Sequence, residues 1–109
     1  MLLQEAIENA SALPEAATLF VERIDGVFKP QSLAVSHEMT AEELQQPVRG
    51  VVMRVAPGLE YFLEVHLIHE LLASWRENHS GQNPTLAQAV QCAIFYAEND
   101  AYPEEFFGA

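Results

Sequence analysis

At 109 residues the chain fits one domain with one modest core, and an apolar fraction of half its residues is too high for intrinsic disorder. Sixteen acidic residues against five basic ones leave a formal charge of -11 at pH 7. That balance disfavours direct binding to nucleic-acid backbones or anionic membranes, because both depend on clustered Lys and Arg. The same bias attracts a basic protein, and it also serves simply to keep a small domain soluble.

Residues 2 to 12 read as an amphipathic helix: Leu3, Ala6, Ile7, Ala10 and Leu13 form a stripe, Gln4, Glu5, Glu8 and Ser11 lie opposite, and Pro14 stops it. The segment from Thr18 to Ile24 is rich in β-branched and aromatic residues and ends at the turn pair Asp25-Gly26. Ser32 to His37 is its natural partner strand, with Val27 to Pro30 as connection or strand extension. Thr40 and Glu43 have the spacing of a capping box, opening a helical turn that Pro47 interrupts. Val48, Val51, Val52 and Val55 follow helical spacing with Arg49 and Arg54 off that face, but so many valines suit a strand equally, and both assignments stand for residues 48 to 56. Pro57-Gly58 closes the segment.

Glu60 to Val65 reads as a third strand. From His66 to Asn78, Leu67, Ile68, Leu71, Leu72 and Trp75 share one helical face, and a polar loop follows from Asn78 to Asn83. Asn83 as cap and Pro84 at the first helical position open a last helix, with Leu86, Ala89, Val90, Ala93, Ile94 and Ala97 on one side. The pattern predicts a single α+β domain over residues 1 to 109: a small antiparallel sheet of about three strands, with helices covering one face. The lone Cys92 excludes an intrachain disulfide, fits a reducing compartment and reads as a small packing residue. No signal-peptide pattern opens the sequence and no apolar run approaches the ~18 residues that span a bilayer, so the expected location is the cytoplasm.

The residues that bear on chemistry are few. His66, His69 and Glu70 have a spacing that can share a metal ion on a helix, but His66 and Glu70 fall on the polar face and read as solvated. The adjacent pairs Glu42-Glu43 and Glu104-Glu105 do not make a cleft of separated carboxylates, and Cys92 has no base beside it in sequence. The five glycines are dispersed singly, so no phosphate-cradling loop assembles. Arg49 and Arg54 together suit a carboxylate or phosphate, or the balancing of internal charge. No cofactor is called for, and a non-enzymatic role is expected.

The last helix carries the most informative surface. Phe95 falls opposite the apolar stripe, among Gln88, Gln91 and Asn99, and after it come Glu98, Asp100, Tyr102, Glu104 and Glu105. An aromatic ring among carboxylates suits a protein-binding surface, since the ring supplies contact area and the charges steer a cationic partner. The competing assignment places Tyr96 and Tyr102 in the core and packs Phe106-Phe107 against the body.

Several short stretches also resemble a known group. Pro47-Val48-Arg49-Gly50, Gly58-Leu59-Glu60-Tyr61, Ile68-His69-Glu70-Leu71 with Asn78, and above all Tyr96 to Tyr102 are similar to small uncharacterised bacterial proteins that end in Tyr-x-x-Asn-Asp-Ala-aromatic. The resemblance covers roughly the C-terminal half. In kind the chain also looks like bacterial toxin-immunity proteins, which share a task more than a motif, so no functional residue is carried over from them. The resemblance implies binding and neutralisation of a basic toxin, a nuclease domain first among them. Phe95, Glu98, Asp100, Tyr102, Glu104 and Glu105 are the expected contact residues. Two alternatives stand beside it: a self-associating adaptor, forming a homodimer through a sheet edge or helix face, and an acidic mimic of nucleic acid.

Overall fold

The computed structural model describes residues 1–107. Gly108, Ala109 and the side chains of Glu105 and Phe107 lie outside the described residues, and with them the assignment of Glu105 to the binding surface and of Phe107 to packing against the body. The chain runs α1 (Leu3–Glu8), β1 (Ala17–Val21), β2 (Ala34–Glu38), α2 (Ala41–Leu44), α3 (Val48–Val55), β3 (Glu60–Glu64), α4 (Val65–Asn78) and α5 (Leu86–Asn99). One short 3-10 turn follows α1 at Ala10–Ala12 and another closes the described chain at Glu104–Phe107. The expected α+β class with a three-stranded antiparallel sheet is what forms, in the order β2-β1-β3.

β1 is central, and all its residues are buried because both its edges and both its faces are covered. It ends at Val21, earlier than the sequence pattern predicts, since Ile24 and Val27 exchange backbone hydrogen bonds of 2.8 and 3.2 Å around Asp25 and Gly26. Those two residues have φ of 54° and 83°, the left-handed pair that a tight two-residue hairpin turn demands. Opposite β1, strand β3 shifts register between Leu19 and Phe20, so Leu63 pairs with Leu19 while Tyr61 pairs with Phe20. Phe62 is left as the extra residue of a β-bulge and packs edge-on against Phe28, ring centroids 5.0 Å apart.

The sheet is covered on both faces, which corrects the expectation of helices on one. On one side Leu3, Ile7, Leu19, Ile68, Leu71, Trp75 and Val90 join α1, α4 and α5 to the sheet in the main core. On the other, Phe20 meets Val52 and Ala56, with Val35, Met39, Val55 and Leu59 around them. Residues 48–55 therefore form a helix. Their valines alternate at helical rather than strand spacing, and Val51 and Val52 turn inward while Val48, Arg49 and Met53 face out.

Two boundaries differ locally. The predicted helix over residues 2 to 12 is an α-helix only to Glu8, because Asn9 leaves helical geometry at φ -103° and ψ 20° and the chain tightens into a 3-10 turn. The last helix is capped by Thr85, not Asn83. The Thr85 hydroxyl accepts from the Gln88 N–H at 3.1 Å, and the Gln88 side chain accepts from the Thr85 N–H at 2.9 Å. Pro84 precedes that cap, and Asn83 instead accepts a hydrogen bond from Arg76 at 3.3 Å.

Candidate functional site

The outer face of α5 and the turn after it form a shallow groove of about 270 Å³, lined by Gln91, Ile94, Phe95, Glu98, Asn99 and Pro103. Phe95 is 39% exposed, as its place among polar positions predicts. Its backbone carbonyl accepts the Asn99 side-chain amide at 2.9 Å, and Asp100 ends the helix in the left-handed conformation at φ 53°. An Asp there is tolerated better than a branched or bulky residue, because its short polar side chain bonds locally.

Beyond the groove, the aromatic segment folds back. Phe106 is 1% exposed and lies edge-on to Trp75 at 5.9 Å. Tyr102 stacks flat on Phe106 with centroids 3.9 Å apart and leans on Tyr96 at 5.1 Å. Burial, first among the causes, pushes the Tyr102 hydroxyl above its ordinary pKa. Burying a ring such as Phe106 is worth ~1.5–3 kcal/mol, which is enough to hold the last turn against α4 and so to fix one wall of the groove. The structure thus gathers Phe95, Glu98 and Pro103 around one groove. It places Asp100 and Glu104 in the exposed stretch that follows, and half-buries Tyr102 in an aromatic stack.

Glu98 is already engaged. Its Oε1 accepts from Arg23 Nη1 at 2.7 Å, while Arg23 Nε reaches Glu60 Oε2 at 2.9 Å and the guanidinium lies 4.0 Å over the Phe28 ring. The Glu98 hydrogen bond, foremost, raises the Arg23 pKa. This bridge ties the end of β1 to β3 and α5, so Glu98 carries a structural bond as well as a place in the groove. Asp100 and Glu104 make no ion pair among the described residues.

The residues weighed for metal or catalytic chemistry are dispersed. His69 Nε2 donates to the Ala10 carbonyl at 2.7 Å and its Nδ1 lies 3.5 Å from Glu15, whereas His66 sits 3.8 Å from Glu64. Among the described residues no group of His, Cys, Asp and Glu is arranged to hold a metal ion. Cys92 is buried in α5. No helix of the described residues is long and apolar enough to cross a membrane.

A second concavity, unforeseen in the sequence, lies between α3 and β3. It measures about 480 Å³ and is lined by Val48, Arg49, Val52 and Met53 from α3 and by Gly58, Leu59, Glu60 and Tyr61 from the turn and strand that follow. Met53 is 69% exposed, and Val48 and Tyr61 are about half exposed. The signal that could have found it was the alternation of valines with Met53 and Arg49, which becomes an outward face only once residues 48–55 are known to be helical. Compared with models of known protein families, with curated proteins and with solved structures, the chain matches none.

Proposed function

We propose that this chain is a non-enzymatic, immunity-type protein that acts in the cytoplasm by binding a basic toxin domain through the α5 groove and the acidic turn beyond it. The observation that carries the reading is Phe95. A large ring stands exposed on α5 at the lip of a groove whose other wall, at Pro103, belongs to the turn held by the Phe106 stack, in a chain of formal charge -11. A ring of this kind provides the buried anchor of a contact, and Asp100 and Glu104, which make no ion pair among the described residues, supply attraction to a cationic face. A nuclease domain offers such a face, because its own substrate is held by Lys and Arg against phosphate.

The test is a pull-down of the full chain with the product of the adjacent gene, followed by binding and melting measurements on variants. Phe95→Ala is expected to weaken the complex by ~2 kcal/mol, about 30-fold, with little change in melting temperature. Phe106→Ala, by contrast, removes a core ring and should cost ~3–5 kcal/mol of stability. A neighbouring product that is neither toxic nor bound sinks the proposal, as does a Phe95→Ala melting loss equal to that of Phe106→Ala.

A further inference from the structure

The helices that frame the α3–β3 groove and the α5 groove pack on different faces of the sheet, α3 on Phe20 and α5 on the opposite core, and the margins of the two grooves are joined where Arg23 holds Glu60 and Glu98. Two charged groups border it. Glu60 bonds at 2.9 Å to Arg23, whose guanidinium it shares with Glu98. Arg49 makes no ion pair or side-chain hydrogen bond among the described residues, whereas Arg54, on the same helix, is held by Glu43 at 2.9 Å. Helix α3 contains no acidic residue at all. Arg49 is therefore a lining charge that no described residue answers, on a molecule whose net charge is -11.

We propose that the α3–β3 groove is a docking site for a segment of another protein that seats a large apolar side chain beside a carboxylate. Val48, Met53 and Tyr61 provide the exposed apolar walls, and contiguous exposure of this kind on a small domain marks an interaction surface. Arg49 supplies a planar fork of donors whose geometry matches a carboxylate and which no carboxylate of the described residues occupies. A single acidic group next to an apolar anchor satisfies the groove, while a strongly acidic segment would be repelled by the rest of the molecule.

A second copy of this chain fits less well. Apposing two α3 helices brings two arginine-bearing, acid-free faces together. Antiparallel pairing of two β3 edges centred on Phe62 sets Glu60 opposite Glu64 of the second copy, and like charges directly across a ladder are destabilising.

The experiment selects a random displayed peptide library on the full chain and titrates the enriched peptides, by fluorescence anisotropy, against wild type, Arg49→Glu and Met53→Asp. Both substituted side chains are exposed, so both variants should melt as wild type does. The expected peptides pair an aliphatic or aromatic residue with a neighbouring Asp or Glu, shift the amide signals of Gly50, Met53, Gly58 and Tyr61, and bind Arg49→Glu at least about tenfold more weakly, or about 1.4 kcal/mol. Enrichment of basic sequences alone, equal binding to Arg49→Glu, or no enrichment at all would overturn the proposal. So would a dimer of the unliganded chain that Met53→Asp dissolves, since the occupant would then be a second copy. Phe95→Ala should leave this binding unchanged, so failure here and failure of the toxin-binding proposal are separately visible.

Discussion

Glu43 is 7% exposed yet stays ionised, and the reason is the company its two oxygens keep. Oε1 accepts from the Thr40 backbone N–H at 3.0 Å and lies 2.9 Å from His37 Nε2, and Oε2 accepts from Arg54 at 2.9 Å. The Thr40 hydrogen bond foremost, then the His37 contact, bring its pKa from 4.5 down to about 2, with Arg54 adding to them against the opposing effect of burial. A depressed carboxyl pKa contributes stability that is fully present above the unfolded value and is lost as pH falls through the folded one. Melting temperatures of wild type and Glu43→Gln, followed from about pH 6 to about pH 2, should therefore converge across the window from 4.5 to about 2. A gap that stays constant over that range would mean the carboxylate contributes nothing through its charge. The sequence displayed half of this arrangement: Thr40 and Glu43 have capping spacing, and the box forms. What it hid was the convergence of His37 and Arg54 on the same carboxylate, because residues 37, 43 and 54 meet only after α2 and α3 fold back over β2.

Helix α3 has eight residues, well short of the ~12–15 an isolated helix needs in water, so its order comes from packing and from the Glu43 clamp. Its buried side, Val52 with Ala56 against Phe20, is a small cluster beside the main core that holds α5. Hydrogen exchange should accordingly find α3 amides opening at a lower free energy than those of α5 and β1. Glu43→Gln should accelerate exchange in α2 and α3 and leave α5 unaffected. Equal protection of α3 and α5, changing together in the variant, would instead make the fold one cooperative unit. The same element marks the limit of pattern reading. Valines at 48, 51, 52 and 55 have helical spacing but strand-favouring β-branched side chains, and the choice falls to helix where the Phe20 face of the sheet is free to receive an amphipathic stripe. For α5 the stripe was unambiguous and only the cap was misplaced. Both Asn83-Pro84 and Thr85-Gln88 are helix openings, and reciprocal side-chain bonds decide for the second.

On the scale of the whole molecule the layers were legible and their number was not. Three strands and their antiparallel sense follow from segments rich in β-branched and aromatic residues and the Asp25-Gly26 turn, but the second covered face depends on α3 being a helix. The α5 surface was visible as a ring on a polar face. Arg23 in the bridge to Glu98 and Glu60 was not, since their positions in sequence give no hint of contact.

That bridge changes how the charge of the surface should be tested. Reversing Glu98 would break the tie between β1 and α5 as well as any steering, so the informative substitutions are Asp100→Asn and Glu104→Gln. Asn accepts the left-handed backbone at position 100, and neither side chain is ion-paired among the described residues. With the proposed toxin partner, association rates should fall as ionic strength rises from ~0.01 to ~0.15 M, where the screening length shrinks from ~30 to ~8 Å, while dissociation rates hold nearly constant. The double variant should associate more slowly at low salt, show a shallower salt dependence and dissociate at the wild-type rate. Stopped-flow measurement at several salt concentrations separates these quantities. An association rate indifferent to salt would remove electrostatic steering from the mechanism and leave Phe95 and its groove as the whole of the contact.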